Sequence, residues 1–379
     1  MTKAIWLNDE AKLKKTFNDL LNEELIAIDG EGDGMFRYRA KLCTLQIATR
    51  DSIYLVDTLS VWNEELFAAL LGPQGPEKIL HDMAFDARLL KAQGIKLGRV
   101  FDTSIAARFL GEEATGLSNM LKNRCNVELC KEQRLTDWGK RPLTEAQEKY
   151  LAEDVRYLHR LCASLRNDLL AKDLTEEVAE ECLYVLEQAA NEPELMSPWM
   201  RIKGVRRLLS SQQSVLREIA LYREGIAKEW DRPPAMVVHD KALFSLALKG
   251  SQTVNQLKKI KQLNKLKKHD LLPGLHEAIE HGLARGKVPR EETEELQKPP
   301  IQRGKIALRK RVKKALTQWR KGEAEKRNVD PQAILPGHCV SDLVATLPKS
   351  PKELAKIDGL GSKRQKKYGE TLLTLIAEV

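Results

Sequence analysis

Short apolar runs bounded by turn residues and charges dominate the first half of the chain. The segments LIAIDGE (25–31), LCTLQIAT (42–49) and SIYLVDT (52–58) are rich in β-branched residues, which is typical of neighbouring strands. KILHD (78–82) and RVFDTS (99–104) have the same character, and a helical pattern follows each of them. Strands that alternate with helices in this way predict an α/β domain with a mixed sheet.

A long helix is predicted from Thr144, through the segment TEAQEKYLAEDVRYLHRLCASLRNDLLA. Thr144 is a suitable N-cap, because its hydroxyl can accept a hydrogen bond from a free backbone amide of the first turn. Tyr150 and Asp154 are four residues apart, so this helix places them on one face.

The character of the chain changes near residue 190. The segment NEPELMSPWMRIKG contains two prolines and a glycine, which is typical of a linker, and beyond it nearly every segment has a helical pattern. We predict an α/β domain over 1–190, a linker over 191–204, a helical domain over 205–286, a linker over 287–304 and a second helical domain over 305–379.

An internal repeat relates the two helical domains. A shift of 97 residues aligns YREGIAKEWDRPPAMVVHDKALFSLAL (222–248) with WRKGEAEKRNVDPQAILPGHCVSDLVA (319–345) without a gap. Chance can match a few leucines but not an arginine, a glycine and a proline in register, so we predict two homologous helical modules. The matched pairs are Arg223 and Arg320, Gly225 and Gly322, and Pro234 and Pro331.

The overall formal charge of +9 hides an uneven distribution. Residues 1–200 hold 25 basic against 34 acidic residues, whereas residues 201–379 hold 38 against 20. A strongly basic half is typical of proteins that bind polyanions such as nucleic acids, although basic residues also solvate ordinary helical surfaces.

Composition favours a soluble cytoplasmic protein. No apolar run approaches the ~20 residues of a membrane helix, and the first residues, MTKAIWLNDE, lack the apolar stretch of a signal peptide. The six cysteines form no CxxC pair, which indicates reduced thiols rather than a disulfide framework or a zinc site. They are Cys43, Cys125, Cys130, Cys162, Cys182 and Cys339.

An acidic, glycine-rich turn follows the first predicted strand. Asp29 and Glu31 are two residues apart, so a strand projects both carboxylates to one face, where a cation would neutralise them. A calcium loop would need a glutamate at its twelfth position, which is Ala40 here, so the calcium hypothesis fails. Asp33 is then expected to be a solvated turn residue. An ordinary acidic turn remains the alternative for the Asp29–Glu31 pair.

Two later segments add to this pair. ILHDMAFDARLL (79–90) places Asp86 near the start of a helix, and Tyr150 and Asp154 share a helical face further along. Each segment alone is compatible with an ordinary surface. The order of the three, an Asp-x-Glu strand, an Asp and a Tyr-x-x-x-Asp helix, is the informative feature.

These residues resemble the three motifs of the 3′→5′ exonucleases that carry four acidic metal ligands and a tyrosine. Asp29 and Glu31 match the first motif, Asp86 the second, and Tyr150 with Asp154 the third. A sister subclass carries histidine five residues before the last aspartate, where this chain has Lys149, so the tyrosine subclass is favoured. FDTSIAARFLG (101–111) and DWGKRPLTEAQEKYLAEDVRYL (137–158) resemble the ribonuclease D family more specifically, and the repeats resemble its paired HRDC domains.

The resemblance implies an RNase H-like fold and a two-metal 3′→5′ exoribonuclease that releases nucleoside 5′-monophosphates. Two divalent ions, Mg²⁺ or Mn²⁺, suit carboxylate oxygens and would stabilise charge on the attacking and leaving oxygens. Asp29 would bridge the ions, with Glu31 and Asp154 completing the water-activating site. Asp86 would act through water molecules on the leaving-group side, and the Tyr150 hydroxyl would orient the attacking water.

One position departs from the family. The usual first motif is Asp-Thr-Glu-Phe, whereas this chain has Asp29-Gly30-Glu31-Gly32, so the ligands are intact and the following aromatic is missing. Met35 and Phe36 are close enough in sequence to replace it.

Four other residues near the motifs have ordinary structural explanations. His81 is expected to be a polar residue at a strand end, and Asp102 to cap the helix near Thr103. Trp138 and Arg141 fit a substrate groove as well as they fit packing and a salt bridge.

The second helical module offers a candidate nucleic-acid site. In IDGLGSKRQKKYG (357–369), Gly359 and Gly361 free backbone amides near a helix start, beside Lys363 and Arg364, and this suits a phosphate. A plain connection between helices fits equally well. The first module lacks these glycines but has LKKIKQLNKLKKH (257–269), whose six lysines could follow a nucleic-acid backbone or simply be solvated.

The predicted partner is RNA with a free 3′ end, tRNA precursors in particular, with neither a membrane nor an obligate protein partner. The same carboxylates would also serve a DNA 3′→5′ exonuclease, because RNA selectivity depends on contacts to the 2′-hydroxyl. A nucleic-acid-binding scaffold with a degenerate exonuclease domain is the second alternative. The five intact motif residues argue against it.

Overall fold

The computed structural model describes residues 3–129, 136–190, 197–293 and 303–378. The chain folds into two compact units. One comprises 1–32, 41–192 and 301–379, and the other comprises 33–40 and 193–300. The second helical segment therefore packs with the α/β domain in one unit. The domain boundaries drawn from the sequence remain predictions.

A mixed sheet forms the centre of the first unit, as the sequence predicts. Its order among the described residues is β1-β4-β3-β2-β5-β6. The strands are β1 (Ile5–Leu7), β2 (Leu25–Gly32), β3 (Leu42–Ala48), β4 (Ile53–Val56), β5 (Glu77–Leu80) and β6 (Val100–Asp102). β2 is antiparallel to β3 and parallel to β5, and every residue of β3 is buried.

Helices cover this sheet and supply most of the remaining core. The helices that precede residue 191 are α1 (Glu10–Leu20), α2 (Glu64–Leu71), α3 (Ala84–Ala92), α4 (Thr103–Leu110), α5 (Leu117–Cys125), α6 (Glu145–Arg156), α7 (Leu158–Ala171) and α8 (Thr175–Ala190). Large apolar side chains such as Phe17, Phe67 and Phe109 are fully buried among them.

The long helix predicted from Thr144 is two helices rather than one. Thr144 caps α6 as expected, in a capping box with Gln147. Helix α6 ends at Arg156. The next residue, Tyr157, has backbone angles of φ −106° and ψ 0°, which separate α6 from α7. Tyr150 and Asp154 both lie on α6, upstream of this break.

The first helical module forms the second unit together with residues 33–40. Its α-helices are α9 (Ser210–Glu229), α10 (Pro234–Val237), α11 (Asp240–Lys249), α12 (Val254–Leu257), α13 (Asn264–Lys268), α14 (Leu272–Arg285) and α15 (Arg290–Thr293). Three short 3₁₀ helices accompany them, at Pro198–Arg201, Val205–Arg207 and Lys261–Leu263.

The second helical module repeats this plan inside the first unit. Its helices are α16 (Arg303–Arg327), α17 (Pro331–Ile334), α18 (Gly337–Thr346), α19 (Pro351–Leu354) and α20 (Ser362–Ala377). Helices α10, α11 and α12 lie 97 residues before α17, α18 and α19, the shift at which the sequences align.

The arginine that helped to identify the repeat makes the same hydrogen bond in both modules. Arg223 donates to the carbonyl of Val238 at 2.9 Å, and Arg320 donates to that of Leu335 at 3.0 Å. The repeat is therefore confirmed by structure. None of the described helices combines the length and the apolar character that crossing a membrane requires.

Candidate active site

The Asp29–Glu31 pair lies in the middle of the sheet, near the end of β2. Asp29 stands opposite Gln46 and Glu31 opposite Thr44 on the buried strand β3. A register shift follows between Glu31 and Gly32 and ends the regular pairing. The strand thus carries the two acids at a rigid position, on the same face as predicted.

Helix α6 brings a third carboxylate to this pair. Asp29, Glu31 and Asp154 each offer a carboxylate oxygen, and these oxygens lie within 4.8 Å of one another. The capping box at Thr144 fixes the start of α6, and the helix packs against β2, β3 and β4. Three half-buried carboxylates at this spacing are a suitable set of hard oxygen donors for a divalent cation.

Asp86 enters the same cavity from the first turn of α3. Its side chain is 5% exposed, and its Oδ1 atom lacks a hydrogen-bond partner among the described residues. A side chain at Gly30 would place its Cβ atom 2.9 Å from this oxygen, so the absence of a side chain there allows the close approach. A buried carboxylate oxygen without a partner is what a cation or its bound water would satisfy.

Burial changes the protonation of the two deepest acids. It raises the pKa of Asp29 from 3.8 to about 7, although the Gly30 amide opposes the change. Burial, and then the neighbouring Asp29 charge, raise the pKa of Asp86 well above its ordinary value. Such perturbed acids in a cleft are a feature of functional sites, and positive charge would restore their ionised form.

Tyr150 faces the cavity from α6 and packs against Trp138. The two ring centroids are 5.9 Å apart and the rings are nearly parallel, at 29°. Trp138 is only 1% exposed, so it supports the tyrosine from behind rather than meeting a substrate. The packing role left open for Trp138 is therefore the observed one.

Arg141 anchors the loop that carries Trp138. Its guanidinium makes a bidentate pair with Asp57, at 2.9 and 2.7 Å, and also donates to the carbonyls of Trp138 and Cys43. Burial alone would raise the pKa of Asp57, but the hydrogen bonds from Arg141 and Ser60 hold it below its ordinary value. The salt-bridge role left open for Arg141 is also the observed one.

Asp29, Glu31, Asp86, Tyr150 and Asp154 all line one cavity of about 560 Å³. The acids and Tyr150 form one side of it, and a half-exposed aromatic ring, Phe85 (47% exposed), stands at its edge. Met35 and Phe36, which were expected to replace the missing aromatic, belong to the other compact unit. The position of Gly32 itself is closed to a large side chain, because a Cβ atom there would lie 3.1 and 3.2 Å from the methyl groups of Leu89.

Three polar residues beside the motifs have roles that the structure defines. Asp102 caps α4 through hydrogen bonds from the amides of Ser104 and Ile105, as predicted. His81 lies 2.8 Å from the Thr103 hydroxyl and lines the cavity. The prediction that Asp33 is a solvated turn residue is wrong, because Asp33 is only 4% exposed. Its carbonyl accepts hydrogen bonds from the backbone amides of the turn that follows.

The glycine-rich loop of the second module meets carboxylates in this structure. The Ser362 amide donates to Glu180 at 2.8 Å, and the same carboxylate occupies the space beside Gly361. Lys363 binds Glu177 and Asp173, at 3.0 and 2.7 Å.

Two more residues of this loop pack into the same contact. Arg364 is 1% exposed and lies 3.4 Å from Glu180, and Gly359 packs beside Tyr184 and His338. The phosphate site predicted at Gly359, Gly361, Lys363 and Arg364 is therefore not observed. Acids of α8 take the place of the phosphate, because they supply the same negative charge within the chain.

The thiols behave as the composition predicts for the cysteines that the structure describes. Cys43, Cys125, Cys162, Cys182 and Cys339 are all buried thiols. Burial raises the pKa of Cys162 to about 11 and that of Cys339 to about 12, so both remain protonated and unreactive at neutral pH.

Two known sequence families match this chain. Residues 4–170 match the sequence model of a 3′-5′ exonuclease family, and residues 212–279 and 309–376 both match that of the HRDC domain. The chain thus contains a 3′-5′ exonuclease domain followed by two HRDC domains. The resemblance drawn from the motifs is confirmed.

Similar curated proteins include ribonucleases D and RRP6-type exonucleases. The ribonuclease D of Desulfotalea psychrophila is 33% identical over 240 residues, which span 62% of this chain and 64% of the relative. The yeast exosome complex exonuclease RRP6 is 27% identical over 64% of this chain and 35% of its own length. The curated match thus spans less than two thirds of the first relative's length.

The fold is also found in solved structures. The crystal structure of Escherichia coli RNase D, described as an exoribonuclease involved in structured RNA processing, matches with a TM-score of 0.75. The match covers 100% of this chain and 99% of that one, at 22% sequence identity. This likeness shows that the two chains share a fold.

Proposed function

We propose that this protein is a 3′→5′ exoribonuclease that removes nucleoside 5′-monophosphates one at a time from RNA. The observation that carries the proposal is the convergence of Asp29, Glu31 and Asp154, whose carboxylate oxygens lie within 4.8 Å of one another. Asp86 and Tyr150 line the same cavity. Their order along the chain and their place in a 3′-5′ exonuclease domain support the assignment.

We assign the cavity two divalent cations, Mg²⁺ or Mn²⁺, with Asp29, Glu31, Asp86 and Asp154 as the ligands. The donor set consists of carboxylates alone, and the buried Oδ1 of Asp86 has no partner among the described residues, which fits hard cations. When bound, such ions lower the pKa of water and neutralise the charge that develops during phosphodiester hydrolysis.

The side chains of the site divide the remaining tasks. Asp29 belongs to the cluster with Glu31 and Asp154 and also neighbours Asp86, so it would be the ligand shared by the two ions, with Glu31 and Asp154 on the side of the attacking water. Asp86 serves the leaving-group side. The Tyr150 hydroxyl is proposed to orient the attacking water, and Trp138 packed behind the ring holds it in place.

The proposed substrates are the 3′ ends of tRNA precursors and of other structured RNA, in the cytoplasm. The relatives named ribonuclease D support RNA as the substrate class. A cavity that receives one strand end, followed by a strongly basic chain segment, suits a polymer that is held by its backbone and trimmed at its terminus.

An assay with matched RNA and DNA strands tests the proposal. Strands labelled at the 3′ end are incubated with Mg²⁺ or Mn²⁺, using the native protein, the Asp29→Ala variant and the Tyr150→Phe variant. We expect label release from RNA, which the aspartate substitution abolishes and the tyrosine substitution lowers by about 10²-fold or more in kcat.

Two results would contradict this function. Release from neither polymer would remove the enzyme hypothesis and favour a binding scaffold with a degenerate nuclease domain. Faster release from DNA than from RNA would make the protein a deoxyribonuclease with the same catalytic residues.

A further inference from the structure

Arg108 is an exposed residue on a helix that is otherwise buried. Every other residue of α4 (Thr103–Leu110) is buried, and the helix packs against α7 and α8. Ser104 lies one turn before Arg108 on the same face of the helix, and both residues line the cavity that holds the acids. The buried residues thus fix α4 in place, and the helix presents a guanidinium group to the cavity.

The charge of the cavity wall is mostly negative. Five acids line the cavity, and Arg108 is the only lysine or arginine among the described residues that line it. The acids are Asp29, Glu31, Asp82, Asp86 and Asp154. Divalent cations would offset the charge where the scissile phosphate lies, but each further linkage of a strand adds another negative charge. Of the described side chains in this wall, Arg108 is the one that attracts that next charge.

Arg108 has no acidic partner of its own in the part of the chain that the structure describes. No described residue forms a salt bridge or a side-chain hydrogen bond with it, whereas Arg124 on α5 is bound to Glu112 and Asp168. The guanidinium group of arginine is a planar fork of donors that matches two oxygens of one phosphate. Arg108 is therefore available to an anion that enters the cavity.

We propose that Arg108 binds the phosphate that follows the scissile one on its 5′ side, and that this contact makes the site prefer strands with at least two linkages over dinucleotides. The assignment rests on the proposed function, in which an RNA 3′ end enters the cavity. A phosphate held on α4 and a scissile phosphate held at the acids would fix the strand at two points, which orients the reacting linkage.

An ordinary structural role for Arg108 makes a different prediction. Arg108 lies in the last turn of α4, where a positive charge stabilises the C-terminal end of a helix. In that role, the charge of one particular phosphate in the RNA is irrelevant. Removing that charge from the RNA, rather than only changing the protein, therefore distinguishes the two roles.

The experiment compares three versions of one short RNA that carries a fluorescent label at its 5′ end. The first is natural, the second has an uncharged methylphosphonate at the second linkage from the 3′ end, and the third has it at the fifth linkage. Kd is measured with Mg²⁺ in the Asp29→Ala background, which should not cleave, alone and combined with Arg108→Gln, Arg108→Lys or Arg50→Gln. Arg50 is an exposed arginine that does not line the cavity, so Arg50→Gln is the matched control.

We expect the methylphosphonate at the second linkage to raise Kd about fivefold or more in the parent and in Arg50→Gln, but less than about twofold in Arg108→Gln, because the charge has then already lost its partner. Arg108→Lys should be intermediate, since lysine keeps the charge without the fork. The methylphosphonate at the fifth linkage should raise Kd equally in all of these proteins. Equal effects of the second-linkage substitution in the parent and in Arg108→Gln would overturn the proposal.

Cleavage rates provide a second readout with Asp29 intact. The native protein should have a kcat/KM about fivefold or more higher for a trinucleotide than for a dinucleotide, and Arg108→Gln should remove most of this difference. A difference that Arg108→Gln leaves unchanged would contradict the proposed contact.

Failure of this proposal and failure of the proposed enzyme are distinguishable. Binding is measured without hydrolysis, so the values of Kd decide the role of Arg108 even where no RNA is cleaved. Cleavage of RNA together with equal methylphosphonate effects would leave the enzyme and remove Arg108 from the substrate path.

Discussion

Gly30 shows how a single residue without a side chain shapes the site. It lies between two metal-ligand candidates on β2, and its missing Cβ atom leaves room for the carboxylate of Asp86. The family motif that this chain resembles has threonine at this position. In this chain the glycine allows Asp86 to lie directly against β2, the strand that carries Asp29 and Glu31.

Replacing Gly30 by alanine should move Asp86 and slow the reaction. The new Cβ atom would lie 2.9 Å from Oδ1 of Asp86 and 3.0 Å from Cδ1 of Leu42, so the carboxylate must shift. Displacing a catalytic group by a fraction of an ångström to about 1 Å costs about 10- to 100-fold in kcat. Steady-state kinetics measures this effect.

Gly225→Ala is the control for this substitution. Its Cβ atom meets nothing within 4 Å, so kcat should stay at the native value. An unchanged kcat in Gly30→Ala would show that the position of Asp86 is not limiting.

The raised pKa of Asp29 predicts how stability depends on pH and metal. The folded protein holds this proton more tightly than the unfolded chain, because the pKa is about 7 when folded and near 3.8 otherwise. The stabilising contribution is complete below the lower value and is lost as pH rises through about 7. Divalent cations need the ionised form, so their stabilisation should be larger at high pH.

Thermal unfolding with Mg²⁺ or with chelator tests whether stabilisation by the cation increases with pH. The gain in Tm from Mg²⁺ should be greater near pH 8 than near pH 5, and Asp29→Asn should remove most of it while raising the Tm of the metal-free protein at the higher pH. A gain that is the same at both values would contradict a proton–metal exchange at Asp29.

The roles of some single residues could be predicted from their sequence neighbours, and the roles of others could not. Asp102 and Thr144 were predicted as caps because a cap depends on residues within one helical turn. The burial of Asp33 and of Trp138 depends on segments far along the chain, and no local pattern reports it.

At the scale of elements, the loop 137–142 links the sheet to helix α6, which carries Tyr150 and Asp154. Arg141 fixes one end of this loop to Asp57, which follows β4, and Trp138 packs on Tyr150 of α6. The loop therefore transmits the position of the sheet to the tyrosine.

Arg141→Lys should destabilise the fold and disturb Tyr150. A lysine cannot reproduce the bidentate pair with Asp57 or the bonds to two carbonyls, and we expect a loss of about 1–3 kcal/mol in the free energy of unfolding. Denaturant unfolding measures the loss, and kcat should fall with it.

The exposed pair Lys122–Glu128 provides the comparison. Its side chains are 64% and 77% exposed, so Lys122→Gln should change the free energy of unfolding by no more than about 0.5 kcal/mol. It should leave kcat unchanged. Equal effects of the two substitutions would mean that the Arg141–Asp57 pair contributes no more than an ordinary surface ion pair.

Strongly patterned elements were predicted, and weakly patterned ones were not. The five predicted strands all exist, because each is an apolar run bounded by turn residues or charges. β1 has only three residues, and its pairing with β4 is a long-range choice. The break at Tyr157 is likewise decided by packing, since the sequence around it continues the helical pattern.

At the scale of the whole chain, the second HRDC domain is part of the nuclease unit. Acids of α8 hold its glycine-rich loop, and Ala333 is fully buried in the core that also contains the sheet. The sequence predicted the repeat because the two copies share residues. It did not predict the docking partner, because a phosphate and a carboxylate attract the same groups.

Gly361→Ala should loosen this docked domain. Gly361 has a φ of +76°, and the Glu180 carboxylate occupies the space that a Cβ atom would need. The left-handed backbone alone costs about 1–2 kcal/mol, which corresponds to a fall in Tm of several degrees, at roughly 2–4 °C per kcal/mol. Scanning calorimetry measures the shift. Gly322→Ala lies in a helix interior and its Cβ atom meets nothing within 4 Å, so it should not lower Tm, because alanine is favoured there over glycine by about 0.5–1 kcal/mol. A Gly361→Ala variant whose Tm is not lowered would refute the docking role.

The central claim is that the carboxylate site removes nucleotides from the 3′ end of RNA. The most direct measurement follows one RNA labelled at its 3′ end and the same RNA labelled at its 5′ end, with Mg²⁺. We predict that the 3′ label appears at once as a nucleoside 5′-monophosphate, while the 5′-labelled strand shortens stepwise. Internal fragments at early times, or mononucleotides released first from the 5′ label, would contradict stepwise hydrolysis from the 3′ end.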